Sequence, residues 1–243
     1  FSFNPDVLED AFRQPGVKAL ILCNPSNPSG KVFTREELTI IADLAKKYDL
    51  YVITDEVYEH ILYKPHEHVY MATLPGMRER TIICSSLSKT YSITGWRIGY
   101  VIASPDITER VKKVHDFLTI GAAAPLMEAV VVGLNFGDEY YEELQQHYTH
   151  MKELFCKGLR DIGLSFVEPQ GAYYVMVDIR EFGYGNDYDF AVDLARKVGV
   201  GSVPGSSFFK EDVHDYVRFH FAKKDETLKA ALDRLAEIRN KMK

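Results

Sequence analysis

The chain has 243 residues, a formal net charge of −6 and 46% hydrophobic residues, which is enough to bury a core in one or two domains. The negative charge gives no reason to expect binding to nucleic acid or to a membrane, and no apolar run is long enough to span a bilayer. Three scattered cysteines argue against a disulfide framework and indicate a cytoplasmic location. The histidines lack metal-ligand spacing, so no metal site is predicted, and His66 and His68 in one polar loop are expected to be solvated.

The first part of the chain alternates short apolar runs with helical patterns. Residues 17–23 and 50–54 are predicted strands, and a helix between them runs from about Thr34 to Tyr48. Thr34 and Glu37 have the spacing of a capping box at its start. A short helix is expected after the second strand. This alternation favours an α/β fold, in which helices cover both faces of a mostly parallel sheet.

Two further strands and three helices complete the predicted large domain and its connection. The strands are at 81–85 and 97–103, and the helices run from Pro105 to about Leu118, from Ala122 to about Asn135 and from Asp138 to about Arg160. The last helix is expected to link a large domain, residues 1–137, to a small one, residues 138–243. The short strands and helices of the second region predict a smaller α+β domain, with strands at 171–178 and 216–222 and helices at 187–198 and 224–243.

One lysine lies in a Ser/Thr-rich turn between the third and fourth predicted strands. Lys89 follows Ser86 and Ser88, and Arg97 comes eight residues after it. Alone, such a lysine is more often a solvated surface residue. However, a partly desolvated lysine amine can attack a carbonyl carbon, and hydroxyls with an arginine are suited to bind a phosphate. Together they indicate a Schiff base to pyridoxal phosphate.

Polar residues also follow the first two predicted strands. Asn24-Pro25-Ser26-Asn27-Pro28-Ser29-Gly30 is a doubled Asn-Pro turn, which places the Asn27 amide at the carboxyl edge of the sheet, where open α/β folds bind ligands. Asp55 ends the second strand, and Tyr58 comes three residues later. If a helical turn starts at Asp55, the two side chains share a face. A helix cap followed by a core tyrosine is the competing interpretation.

These three motifs, in this order, resemble those of the class I/II aminotransferases, which have the fold type I architecture of aspartate aminotransferase. The resemblance implies that Lys89 forms a Schiff base with pyridoxal 5′-phosphate and moves the substrate proton. Asp55 would hold the pyridine nitrogen protonated, and Tyr58 and Asn27 would bond the 3′ oxygen. The residues implied to bind the phosphate are Ser86, Ser88 and Arg97.

Arg218 lies inside an alternating apolar strand, where an arginine is costly unless it is paired. A bidentate guanidinium suits a substrate carboxylate, although a structural ion pair is the other interpretation. The run Arg218-Phe219-His220-Phe221-Ala222 resembles the strand with which this family binds the substrate α-carboxylate. His220 departs from the small residue often found there.

The resemblance implies transfer of an amino group from an α-amino acid to a 2-oxo acid such as 2-oxoglutarate, by a homodimer. Only about twenty residues precede the first motif, so the N-terminal part of the family's large domain is expected to be missing.

Two alternative functions stay open. One is a pyridoxal-phosphate-dependent C–S lyase or decarboxylase on the same scaffold, and the other is a catalytically silent fragment that acts as a scaffold or binding domain. The sequence leaves the amino donor open, with aromatic amino acids and aspartate favoured; Tyr173, Phe208 and Phe209 could line an apolar pocket or belong to the core.

Overall fold

The computed structural model describes residues 1–242, which form two compact units. The first unit consists of Phe1–Pro25 and Val32–Leu144. The second contains Ser26–Lys31 and the chain from Gln145 onward. The units part inside a long helix, whereas the boundary predicted from the sequence, between residues 137 and 138, lies at the start of that helix. That functional domain boundary stays a prediction.

Four strands of the first unit form one sheet, paired in chain order. They are β1 (Ala19–Cys23), β2 (Tyr51–Asp55), β3 (Thr81–Ser86) and β4 (Gly99–Ile102). The first three strands are parallel and β4 is antiparallel to β3, so the predicted α/β fold with a mostly parallel sheet is confirmed. Parallel pairing brings the carboxyl ends of β1, β2 and β3 to one edge of the sheet, where loops can carry functional side chains.

The helices of the first unit are α1 (Pro5–Arg13), α2 (Arg35–Lys47), α3 (Leu87–Thr90), α4 (Pro105–Leu118) and α5 (Ala124–Leu134). Short 3₁₀ turns lie at Met71–Thr73, Arg78–Arg80 and Thr94–Trp96. The predicted capping box at the start of α2 is present, with the Thr34 side chain accepting from the Glu37 N–H and the Glu37 side chain accepting from the Thr34 N–H. The helix expected after β2 is instead a turn over residues 57–60.

The core of this unit lies between α2 and the sheet. Leu38, Ile41 and Ala45 of α2 are almost fully buried against Val52 of β2 and the neighbouring Leu50. Apolar residues three and four positions apart form one face of the helix, which explains why the pattern in the sequence predicted it. Burying such a side chain stabilises the fold by roughly 1.5–3 kcal/mol.

The second unit contains most of helix α6 (Asp138–Ile162), which begins in the first unit. Its antiparallel sheet has the order β5-β6-β8-β7, formed by β5 (Phe166–Val167), β6 (Tyr174–Asp178), β7 (Val203–Pro204) and β8 (Tyr216–His220). The remaining helices are α7 (Asp187–Asp193), which continues as a π-helix over Leu194–Val198, α8 (Asp225–Leu235) and α9 (Ile238–Lys241). The predicted single terminal helix is therefore two helices, and Lys243 lies outside the described residues. Within residues 1–242, every helix is too short or too polar to cross a bilayer.

Candidate active site

Lys89 lies in one short helical turn directly after β3. Ser86 ends the strand and caps the turn, since its Oγ accepts a hydrogen bond of 3.0 Å from the Ser88 N–H. Leu87 and Thr90 are buried on the inner side, while Lys89 is half-buried. The turn is therefore fixed by the strand, the cap and two buried neighbours, and it holds the lysine at the carboxyl end of β3.

Three tyrosines, Tyr91, Tyr140 and Tyr141, stabilise the turn that carries Lys89. The hydroxyls of Tyr91 and Tyr141 lie 2.8 Å apart, and the Tyr140 hydroxyl donates to the Thr90 carbonyl over 2.7 Å. Tyr140 and Tyr141 belong to the start of α6, so the first unit uses this helix to brace the turn. Burial, followed by the hydrogen bond to Tyr141, raises the pKa of Tyr91 well above its ordinary value, and the phenol stays neutral.

The hydroxyls and the arginine predicted to bind a phosphate lie near each other. The Oγ atoms of Ser86 and Ser88 are 2.6 Å apart, and Ser86 Oγ is also 3.0 Å from the Ile98 carbonyl oxygen. Arg97 adopts φ of 56°, and its Nη1 donates to the Thr94 carbonyl over 3.0 Å. Its side chain is otherwise exposed, so the guanidinium can receive an anion.

Asp55 ends β2 beside these groups, because its register partner on β3 is Cys84. Its Oδ1 accepts from the Val57 N–H over 3.2 Å, which starts the turn at 57–60. The carboxylate is exposed, whereas Tyr58 is buried in that turn. Asp55 can therefore pair with a cationic group of a ligand without prior desolvation.

Five of the predicted residues line one pocket of about 300 Å³ in the first unit. The lining residues are Asp55, Val57, Cys84, Ser85, Ser86, Ser88, Lys89 and Arg97. Tyr58 is absent from this lining. Burial, followed by the nearby Asp55 and Glu56 carboxylates, raises the pKa of the Cys84 thiol, which disfavours the nucleophilic thiolate.

Asn27 and Arg218 lie in the second unit and contact each other. Arg218 Nη1 donates to Asn27 Oδ1, although the two residues are 191 positions apart in the chain. Among residues 1–242, no carboxylate forms an ion pair with Arg218. The guanidinium has further N–H donors besides the one bound to Asn27, so it can bind a ligand carboxylate.

Two acidic residues near the pocket, Glu59 and Glu56, were not predicted from the sequence. Glu59 accepts hydrogen bonds from the hydroxyls of Ser85 and Tyr100, each over 3.0 Å, and from the Tyr70 hydroxyl over 2.8 Å. It thereby ties the turn after β2 to β3 and β4. Glu59 directly follows Tyr58 in the chain, and nothing in the local sequence indicates these contacts, because they form only when the sheet is folded.

The second missed residue, Glu56, corrects the expectation for His68. Glu56 is 1% exposed, and its Oε2 lies 3.2 Å from His68 Nε2. The His68 side chain is buried rather than solvated, and this carboxylate provides its ring with a polar partner in the interior. His66, in the same loop, is half-buried.

The pocket residues fit pyridoxal phosphate by their chemistry. A primary amine, a carboxylate, two hydroxyls and a guanidinium match the aldehyde, the ring nitrogen and the phosphate of that cofactor. In the part of the chain that the structure describes, no group of three His, Cys, Asp or Glu side chains is arranged to bind a metal ion.

Comparisons with known proteins agree with this chemistry. Residues 1–235 match the family described as aminotransferase class I and II, whose members use pyridoxal 5′-phosphate. The chain is 35% identical to the kynurenine–oxoglutarate transaminase of Dictyostelium discoideum, where the match covers 98% of this chain and 60% of the relative. It is also 35% identical to the aspartate aminotransferase of Pyrococcus abyssi, covering 98% of this chain and 61% of that protein.

Solved structures give the same result. The N-succinyldiaminopimelate aminotransferase of Mycobacterium tuberculosis matches with a TM-score of 0.93 and 35% identity, over 97% of this chain and 62% of that one. The chain thus spans about 60% of the length of the relatives it matches. The predicted family, fold class and cofactor are confirmed: this chain belongs to the class I and II aminotransferases.

Proposed function

We propose that the protein containing this chain transfers an amino group from an α-amino acid to a 2-oxo acid, with 2-oxoglutarate as acceptor. The observation that carries the proposal is the pocket that joins Lys89 to Asp55, Ser86, Ser88 and Arg97. The kynurenine–oxoglutarate transaminase among the relatives supports 2-oxoglutarate as the acceptor. The names of the relatives include aspartate and kynurenine transaminases, which fits the preference for aspartate or aromatic donors inferred from the sequence.

Five residues of the pocket have roles in this proposal. Pyridoxal phosphate, when bound, supplies an aldehyde that links to amines and a ring that draws electrons from the carbon attached to the amine. Lys89 Nζ would hold the cofactor covalently until the substrate amine displaces it, and the freed amine would then move a proton at the substrate Cα, since a positioned amine is a general base. The Asp55 carboxylate keeps the ring nitrogen protonated. The phosphate is bound by Ser86, Ser88 and Arg97.

Three further residues complete the proposal. Tyr58 and Asn27 donate hydrogen bonds to the 3′ oxygen of the cofactor, and Arg218 orients the substrate by its α-carboxylate. Support for the Arg218 role comes from the missing carboxylate partner within the described residues and from its bond to Asn27. The strand that carries Arg218 lies in the interior of its sheet, which restricts where the guanidinium can point.

The protein is further proposed to be a cytoplasmic homodimer. Its three cysteines are free thiols, which fits a reducing compartment. Large apolar side chains of α4 and α5 are exposed, including Phe117 at 92% and Val132 at 65%, and so is Ile120 at 84% after α4. Exposed apolar patches of this kind mark interaction surfaces. Light scattering of the purified protein measures the predicted dimer directly, and a monomer at micromolar concentration would contradict it.

The experiment that tests the function begins with the cofactor link. The purified protein is loaded with pyridoxal phosphate, reduced with borohydride and digested, and the labelled peptide is found by mass spectrometry. We expect the label on the Lys89 peptide, no label in Lys89→Ala, and an unchanged label in the control Lys113→Ala, an exposed lysine of α4. A label on another lysine, or none at all, would overturn the proposed role of Lys89.

Product analysis then separates the reaction types. With an ¹⁵N-labelled amino acid and 2-oxoglutarate, we expect ¹⁵N in the glutamate that forms. Release of ammonia and a thiol would indicate a C–S lyase, and release of carbon dioxide a decarboxylase. If the cofactor binds and no product forms with any donor, the proposed activity is wrong and the chain acts as a silent fragment.

A further inference from the structure

The guanidinium of Arg218 lies against two aromatic rings of its own unit. Its central carbon is 4.2 Å from the ring centroid of Tyr174 and 4.4 Å from that of Phe208. Distances below about 6 Å give an attractive cation–π interaction. Within the described residues, the guanidinium therefore contacts the two rings and the Asn27 side chain.

The sheet itself sets the first ring contact. Arg218 on β8 is paired with Met176 on β6, and Tyr174 precedes Met176 by two residues. Residues two apart on a strand share a face, so Tyr174 and Arg218 are diagonal neighbours on the same face of the sheet. Tyr174 is 9% exposed, so its ring has little freedom to move away from the guanidinium.

The second ring is held by its backbone rather than by burial. Phe208 is half-exposed and belongs to the 3₁₀ turn Gly205–Phe208. The Ser206 N–H of this turn donates to Asp187 Oδ2 over 2.6 Å, and Asp187 is fully buried. A side chain at Gly205 would place its Cβ 2.6 Å from the Tyr216 carbonyl oxygen, so only glycine lets the turn lie this close to β8.

We propose that Tyr174 and Phe208 clamp the guanidinium of Arg218 and that Phe208 is a positioning residue for the carboxylate of the substrate. Rings that cover the faces of a guanidinium leave its N–H groups directed along the edges, in the plane in which a carboxylate binds with two hydrogen bonds. A fixed guanidinium loses less rotational freedom when the anion arrives, so binding is tighter. The inference rests on the proposed function, in which Arg218 binds the substrate carboxylate.

The clamp explains why an aromatic residue stands at a half-exposed position. Phe208 has no place in the core, and a polar residue would be the expected choice on a surface turn. The ring at this position instead shields the guanidinium from water. Shielding strengthens the attraction between the guanidinium and an anion, because the effective dielectric constant near the pair falls.

The test compares Phe208→Leu with the parent protein, loaded with cofactor. Calorimetric titration with succinate, an unreactive dicarboxylate, measures binding without turnover. We expect Phe208→Leu to weaken succinate binding by about 3- to 30-fold and to raise KM by a similar factor, while kcat changes less than about twofold. Phe208→Tyr keeps a ring at this position and should restore both values to within about twofold of the parent.

Two control variants make the outcome decisive. Phe166→Leu removes another ring near an arginine, Arg160, whose centre lies 5.5 Å away, and should leave KM and succinate binding unchanged. Arg218→Lys should weaken succinate binding and raise KM. If Arg218→Lys weakens binding while Phe208→Leu does not, the clamp is wrong and the proposed role of Arg218 stands. If neither variant changes binding, the proposed carboxylate site itself is wrong. Phe208→Met replaces Phe208→Leu should that variant fail to fold.

Discussion

The Glu56 carboxylate and the His68 ring form a buried pair in the first unit, with 3.2 Å between Oε2 and Nε2. The other ring nitrogen of His68 is buried and has no hydrogen-bond partner. The ring thus depends on Glu56 for its polar contact. The pair joins the turn after β2, which follows the Asp55 side chain of the pocket, to a loop twelve residues further on.

Replacing Glu56 with alanine should destabilise the protein strongly. The change leaves both ring nitrogens of His68 buried without partners and opens a cavity, so we expect the free energy of unfolding to fall by about 3 kcal/mol. Glu56→Gln keeps a hydrogen-bonding side chain and should cost less. Urea unfolding measures both. The control Glu67→Ala removes an exposed carboxylate next to His68, and an equal loss in that variant would contradict the prediction.

Arg97→Gln should weaken cofactor binding without changing the fold. A charge-assisted hydrogen bond to a phosphate contributes roughly 1.5–3 kcal/mol, so the dissociation constant should rise by about 10- to 100-fold. A fluorescence or absorbance titration with pyridoxal phosphate gives this value. Arg110→Gln, which removes an exposed arginine of α4, should bind as the parent does. Unchanged affinity in Arg97→Gln would show that Arg97 does not bind the phosphate.

Gly99→Ala should disturb the strand pairing beside the pocket. A Cβ on Gly99 would lie 2.7 Å from the Ser85 carbonyl oxygen, and Gly99 pairs with Ser86 in the sheet. Because backbone atoms meet the new methyl group, β4 must shift, at a cost of about 1–3 kcal/mol. We expect a lower urea midpoint and weaker cofactor binding. Gly95→Ala is the matched control, since a Cβ there has no neighbour within 4 Å.

The anchor of the Phe208 turn should respond to pH. Hydrogen bonds to Asp187 and then to Asp212 raise the pKa of His214 above its ordinary 6.5, so its stabilising contribution is fully present below that value. The contribution is lost as the pH rises through the higher pKa of the folded state.

At acid pH, Asp187 gives the opposite dependence. Burial alone would raise the pKa of Asp187, but hydrogen bonds from Ser206 and His214 outweigh burial and lower the pKa below 3.8. Its contribution is present above that value and is lost as the pH falls through the lower folded-state pKa.

The variant His214→Gln tests this dependence by urea unfolding. At about pH 6, the urea midpoint of His214→Gln should lie clearly below that of the parent protein. At about pH 9, where neither protein carries the imidazolium, the difference between the two midpoints should be smaller. His115→Gln, at an exposed position of α4, serves as the reference for losing a surface histidine. A difference that is the same at both pH values would mean that the charge of His214 does not support the turn.

Local patterns were enough to predict much of the first unit. The apolar runs predicted as strands at 17–23, 50–54 and 81–85 contain the parallel strands β1, β2 and β3 to within a residue at their carboxyl ends, and the lysine turn follows β3. Alternation and helical periodicity act over a few residues, so the sequence displays them directly. A Pro at the first helical position and the Asn4 cap also mark the start of α1, a helix that was not among the predicted elements.

The contacts between distant segments could not be predicted in this way. Glu59 accepts hydrogen bonds from three hydroxyl groups, which belong to β3, β4 and a loop. Phe208 contacts Arg218 only because the sheet order places β7 beside β8. Such contacts depend on the packing of whole elements, and no spacing in the chain records them.

The segment Ser26–Lys31 belongs to the second unit although it leaves the first strand of the sheet. Gln170 and Gly171 donate their N–H groups to the Gly30 carbonyl, each over 2.8 Å. At a synthesis rate of roughly 5–20 residues per second, these partners are therefore made on the order of ten seconds after Gly30, and the two hydrogen bonds cannot form earlier. The closing of this segment is therefore a late, long-range event, and no single cut in the chain separates the two units.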